Sequence, residues 1–148
     1  LIFLTASKNI INFKLANFIG KEYNFFSKFN ISFISADHLD LKKKIKLKFV
    51  KFYNVLTVKK MTKFLKKNDL VISGQGNFKY EIMFTQQPLI IVTEKKYYLL
   101  IKKRLSGIKV INIQNLRKIK NLILNSTYHY KKKPREKLDN QFLKKIFY

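Results

Sequence analysis

A chain of 148 residues, 47% of them hydrophobic, is long enough to bury a core and has the size of one ordinary domain, and four Gly and two Pro leave little room for a linker or low-complexity segment. The absence of cysteine excludes disulfide frameworks, thiolate metal sites and cysteine nucleophiles and fits a reducing, cytoplasmic compartment; Lys interrupts every apolar run before the roughly 18 residues a spanning helix needs. The formal charge of +24 has two readings, a polyanion partner or solvated lysine faces. The second is favoured. All but three of the 32 basic residues (Arg104, Arg117 and Arg135) are Lys, and Asn, Ile, Phe and Tyr are also abundant. These amino acids share A- and T-rich codons, so bias in the coding DNA accounts for the charge. Recognition of bases or phosphates by bidentate contacts would call for Arg.

Apolar runs and amphipathic stretches alternate along the chain, the pattern of a parallel sheet covered by helices. Residues 1–6 read as a first strand already under way at Leu1, so the chain is expected to be a fragment. Asn9 is placed to cap a helix over 10–29, with Ile11, Leu15, Phe18, Ile19, Phe26 and Phe29 near one stripe. A second strand is expected at 31–35, a basic connection with room for a short helix at 39–47, and a third strand at 49–53. A helix over 57–67 puts Val58, Met61 and Leu65 on one face, and Asp69 leads into a fourth strand at 70–73. The only glycine cluster, Gly74-Gln75-Gly76, separates that strand from a helix expected over 77–86.

A fifth strand follows at 88–92, with Pro88 at its entry, where a missing N–H is tolerated. The helix at 94–105 has Leu99 and 101–105 partly inward, and Gly107 ends it. A sixth strand is expected at 108–113 and a helix at 114–125. Residues 127–148 read as a basic segment followed by a closing helix at about 138–147. The whole, residues 1–148, is expected to be a single α/β domain, a Rossmann-like parallel sheet of about six strands with helices on both faces. Val71, Ile72, Ile90, Ile91, Val110 and Ile111 are expected to be buried, and the lysines of 42–48 and 131–133 exposed and separated.

In open α/β sheets a ligand sits at the carboxyl ends of the strands, against free N–H groups at helix N-termini. Strand, glycine turn and helix occur together once, at 70–86. There Ser73, Gly74, Gly76 and Asn77 would let backbone amides approach a diphosphate. Gly74 and Gly76 equally fit a purely conformational role. Glu81, about one turn into the helix, is placed to accept from ribose hydroxyls, or is an acid favoured by the helix dipole.

The run from Asn68 to Glu81, NDLVISGQGNFKYE, followed by Gln87-Pro88-Leu89-Ile90-Ile91-Val92, resembles the segment ADLVISAGGxTxYE…GxPxIxI of family 28 glycosyltransferase C-terminal domains. The resemblance extends in order over nearly the whole chain, and is closest to the UDP-sugar hydrolase of pseudaminic acid biosynthesis and related spore-coat polysaccharide proteins. It implies the nucleotide-binding half of a GT-B fold, whose N-terminal half is absent from this sequence. It also implies a UDP-sugar ligand, transfer or hydrolysis at an anomeric carbon in surface polysaccharide or nonulosonate biosynthesis, and no cofactor. By resemblance, Ser73, Gly74, Gly76, Asn77 and Phe78 lie on the phosphate side and Glu81 contacts ribose. Thr5, Ser7, Glu94 and Lys95 are the remaining cleft candidates; Leu138-Asp139-Asn140 sits where the family often has DGxG. Departures are the stretch Thr5-Ala6-Ser7-Lys8-Asn9 in place of a Gly-Gly turn, Gln75 in place of a Gly, and Lys96 in place of the Gln of an ENQ motif.

The separated histidines, His38 and His129, argue against a zinc site; His38 reads as a loop surface residue near the cleft. No Walker turn, nucleophile elbow or full G-x-G-x-x-G fingerprint is present, and the eight acidic residues form no evident acid/base pair by spacing. The competing hypothesis is a non-enzymatic basic protein binding RNA or the ribosome. It would use lysines of 42–48 and the basic run 131–135 with exposed Tyr97, Tyr98, Tyr128 and Tyr130. No specific nucleic acid is expected on the first reading, although peripheral contact with an anionic membrane at its inner face is compatible with the charge.

Overall fold

The computed structural model describes residues 2–4, 9–76, 79, 82–83, 87–105 and 107–129. Its elements in chain order are β1 (Ile2–Leu4), α1 (Asn9–Lys21), α2 (Tyr23–Phe26), β2 (Ile31–Ile34), α3 (His38–Lys44) and β3 (Val50–Tyr53). Then come α4 (Val58–Lys66), β4 (Val71–Ser73), β5 (Leu89–Thr93), α5 (Lys95–Arg104), β6 (Lys109–Asn112), a 3₁₀ turn (Ile113–Asn115) and α6 (Lys118–His129). The chain is an α/β protein with parallel strands, as its alternating pattern implies. Parallel pairings join the strands in the order β3-β2-β1-β4-β5-β6.

The strand run 89–93 is buried from end to end because successive side chains feed opposite faces of the sheet. Ile90 and Val92 join one core cluster, with Ile72 of β4 and Ile31 and Phe33 of β2. Leu89 and Ile91 join the other, with Val71 of β4. Helices cover both faces: Ile11, Leu15 and Ile19 of α1 and Ile119 and Ile123 of α6 pack on the first cluster, Met61 and Leu65 of α4 on the second. No helix among the described residues is long and apolar enough to cross a membrane.

Several expectations need correction. The helix expected over 10–29 is interrupted at Glu22, whose φ of −101° and ψ of 37° are not helical. Phe25 and Phe26 N–H groups both donate to the Glu22 carbonyl, and beyond the break Phe26 is buried in the core, edge-on to Phe18 with ring centroids 5.5 Å apart. A Lys120–Glu22 ion pair of 2.7 Å braces the same corner from α6. Asn9 is the first helical residue of α1 and not its cap. Leu99 is 75% exposed, since it lies on the outer side of α5, while Leu105 is buried. Val110 is half-buried, because β6 has a neighbour on one side only; Val71, Ile72, Ile90, Ile91 and Ile111 are buried. The expected 114–125 helix is a 3₁₀ turn capped by Asn112, whose side chain accepts from Gln114 N–H, and the α-helix begins at Lys118. Gly107 turns the chain between α5 and β6 with a φ of 83°. The closing helix at 138–147 and the run 131–135 lie outside the described residues.

Candidate functional site at the carboxyl end of β4

Strand order reverses between β1 and β4, with β2 and β3 outward on one side and β5 and β6 on the other. In such sheets the connections leaving the two central strands diverge, and a crevice opens at their carboxyl ends. Ser73, the last residue of β4, lies in register with Leu4 of β1 and Ile91 of β5. The glycine turn leaves from this point.

Ser73 is buried and its hydroxyl donates to the Gly74 carbonyl at 3.1 Å; Gly74 is buried and Gly76 half-buried. Gln75 reaches across to the end of β5. Its Oε1 accepts from Thr93 Oγ1 at 2.9 Å and from the Glu94 N–H at 3.1 Å, and its Nε2 donates to Glu94 Oε1 at 3.1 Å. Only one orientation of the amide satisfies all three contacts. Glu94 precedes α5 in extended conformation without capping it through its side chain, and Lys95 is exposed at the helix start.

Lys79 lies three residues after Gly76; Lys79, Ile82 and Met83 are helical. Its Nζ donates to the carbonyls of Gln75 and Gly76, both at 2.9 Å, and the residue is 6% exposed. Burial removes water from the ammonium and lowers its pKa below the ordinary 10.5. A lowered folded-state pKa means that, between that value and 10.5, the unfolded chain binds more protons, so stability rises with pH there. Denaturant titrations of wild type and Lys79→Met should therefore show wild type gaining on the variant as pH approaches 10.5. A pH-independent difference between them would contradict this.

A cavity of about 230 Å³ adjoins the turn, lined by Gln75, Lys79, Tyr97, Leu100, Ile101 and Arg104 among others. A second polar cluster lies at the carboxyl end of β2. There Asn12 Nδ2 donates to Ser35 Oγ at 2.8 Å and Asp37 Oδ2 at 2.9 Å, while Asn12 Oδ1 and His38 Nδ1 are buried with no hydrogen-bond partner among the described residues. His38 is thus half-buried at the start of α3, not a loop surface residue.

Of the residues singled out by sequence, Ser73, Gly74, Gly76 and Glu94 are brought together here, with Lys95 beside them at the start of α5. Thr5, Ser7, Asn77, Phe78 and Glu81 lie outside the described residues. Sequence reasoning missed Thr93 and Lys79 and treated Gln75 only as a departure from a pattern. For Lys79 a signal existed: a cation near a helix N-terminus opposes the helix dipole, so its presence there calls for a specific partner.

The lysines of 42–48 are exposed but not all separated. Lys42, Lys46, Lys48 and Lys51 border one groove of about 580 Å³ along β3, with Phe52 and Tyr53. The loop 45–49 doubles back there, Leu47 N–H donating to the Ile45 carbonyl and Val50 N–H to that of Leu47. Tyr97 and Tyr98 are half-buried and covered by the chain's own Lys96 and Lys102, at 4.8 and 5.7 Å from the ring centroids. Among the described residues no group of three or more His, Cys, Asp or Glu is placed to hold a metal. No family model, curated protein or solved structure matches the chain.

Proposed function

We propose that the chain is the nucleotide-binding half of a GT-B-type enzyme, a Rossmann-like domain that holds a UDP-sugar for transfer or hydrolysis by a site completed with an N-terminal domain. The observation that carries this reading is the position of the glycine turn, at the carboxyl end of a central strand beside the reversal of strand order. Phosphate in such a crevice gains backbone N–H donors and the favourable end of a helix dipole. The diphosphate would lie over the amides of residues 76–78, with Glu81 accepting from ribose. The sequence resemblance over 68–92 supports the same residues. Glu81→Ala is expected to weaken UDP binding by about 1–3 kcal/mol and to leave the melting temperature near wild type, because a hydrogen bond to a charged group is lost. Isothermal calorimetry on the full-length protein measures the first and thermal unfolding the second. Unchanged UDP affinity would remove Glu81 from the site.

The lysine groove along β3 favours a second reading, a polyanion-binding protein. On the primary reading this surface gives only nonspecific affinity, so binding of single-stranded RNA should collapse between 50 and 200 mM salt, roughly as counterion release dictates. Fluorescence anisotropy at both salt concentrations tests it. Tight, sequence-selective binding at the higher salt would favour the second reading.

A further inference from the structure

We propose that Lys79 is a positioning residue for the turn after β4, orienting the Gln75–Gly76 peptide so that the Gly76 N–H faces a bound phosphate. The inference rests on the reading of this turn as a diphosphate site. The geometry begins at the ammonium, which receives the carbonyl oxygens of Gln75 and Gly76 at 2.9 Å each. The described chain has no cis peptide, and in a trans peptide the C=O and N–H vectors point in opposite directions. With the Gln75 carbonyl turned toward Lys79, the Gly76 N–H of the same peptide is turned away from it. A cation on the oxygen also polarises the peptide and makes that N–H a stronger donor.

The other end of the turn is fixed independently. The Gln75 carboxamide is fastened to Thr93 Oγ1 and to the N–H and carboxylate of Glu94, so the peptide is gripped through both its side chain and its carbonyl. Gln75 and Lys79 thus form one connected device that holds the turn from two sides. The charge is costly where it stands, since it is desolvated. From α5, Tyr97 and Arg104 border the same cavity, and Glu94 stands at the start of that helix. A lysine that served only to fill this space would be replaceable by an apolar chain of the same length.

The test uses the full-length protein with ¹⁵N labelling, as wild type, Lys79→Met, Lys79→Gln and Lys79→Arg, each checked for native melting. UDP and inorganic pyrophosphate are the probes. Loss of the charge-assisted contacts should weaken both about tenfold or more in the Met and Gln variants, with Arg within about threefold of wild type. Without ligand, the Gly76 amide resonance should shift in Met and Gln and stay near its wild-type position in Arg. Wild-type affinity in both neutral variants, or equal loss in Arg and Met, would overturn the proposal. If wild type binds neither probe, the diphosphate reading fails. In that case too, a Gly76 resonance unmoved in the neutral variants overturns the positioning role, and one moved in them but not in Arg upholds the coupling on which it rests.

Discussion

Gly76→Val should abolish UDP binding while the protein still folds. The turn is useful to a phosphate only if its backbone can come within hydrogen-bond distance, and a β-branched side chain at the point of approach stands between the amide and the ligand. Gly76 is half-buried, and its carbonyl is already committed to Lys79, so the peptide has little freedom to rotate the new side chain aside. Loss of two or three charge-assisted hydrogen bonds corresponds to several kcal/mol, about a hundredfold or more in affinity. Calorimetry with UDP gives the affinity, and circular dichroism shows whether the sheet survives. A Gly76→Val protein that binds UDP like wild type would show that the ligand does not approach this turn.

Phe33→Ala should lower stability by about 3–5 kcal/mol, a large share of the total for a domain of this size. Phe33 is fully buried in β2, in register with Phe3 of β1 and Phe52 of β3, and its ring lies 5.7 Å from that of Phe52. Truncation leaves a cavity between the sheet and the helices covering it, which a close-packed interior cannot fill without moving a strand. Urea unfolding measures the change. A loss below about 1 kcal/mol would mean that the site collapses, and that the first core cluster is less tightly packed than its burial indicates.

The α/β character was legible because hydrophobic periodicity is a local property. The run from Leu89 to Thr93 is apolar throughout except its last residue, and a strand covered on both faces must read that way. The stripe of Ile11, Leu15, Phe18 and Ile19 likewise marks the buried side of α1. What escaped the sequence depends on distant neighbours. The interruption at Glu22 has no marker in the hydrophobic stripe, which runs on through Phe26, and the exposure of Leu99 is set by which side of α5 meets the sheet. At the candidate site, a glycine turn after a strand is a local signal and was readable. The tie from Gln75 to Thr93 and Glu94 spans 18 and 19 residues and joins two different strand ends, so it arises only once the parallel sheet brings β4 beside β5. Lysine showed the same effect at a larger scale: Lys42 and Lys51 are nine positions apart, yet they border one groove because the loop between α3 and β3 doubles back.

The most direct measurement is a titration of ¹⁵N-labelled full-length protein with UDP, following backbone amide shifts. Saturable changes are expected at Gly74, Gln75 and Gly76, with smaller ones at Thr93 and Glu94 through the Gln75 tie and none along 42–53. Changes confined to the lysine groove, or no saturable change at any amide, would contradict the diphosphate reading.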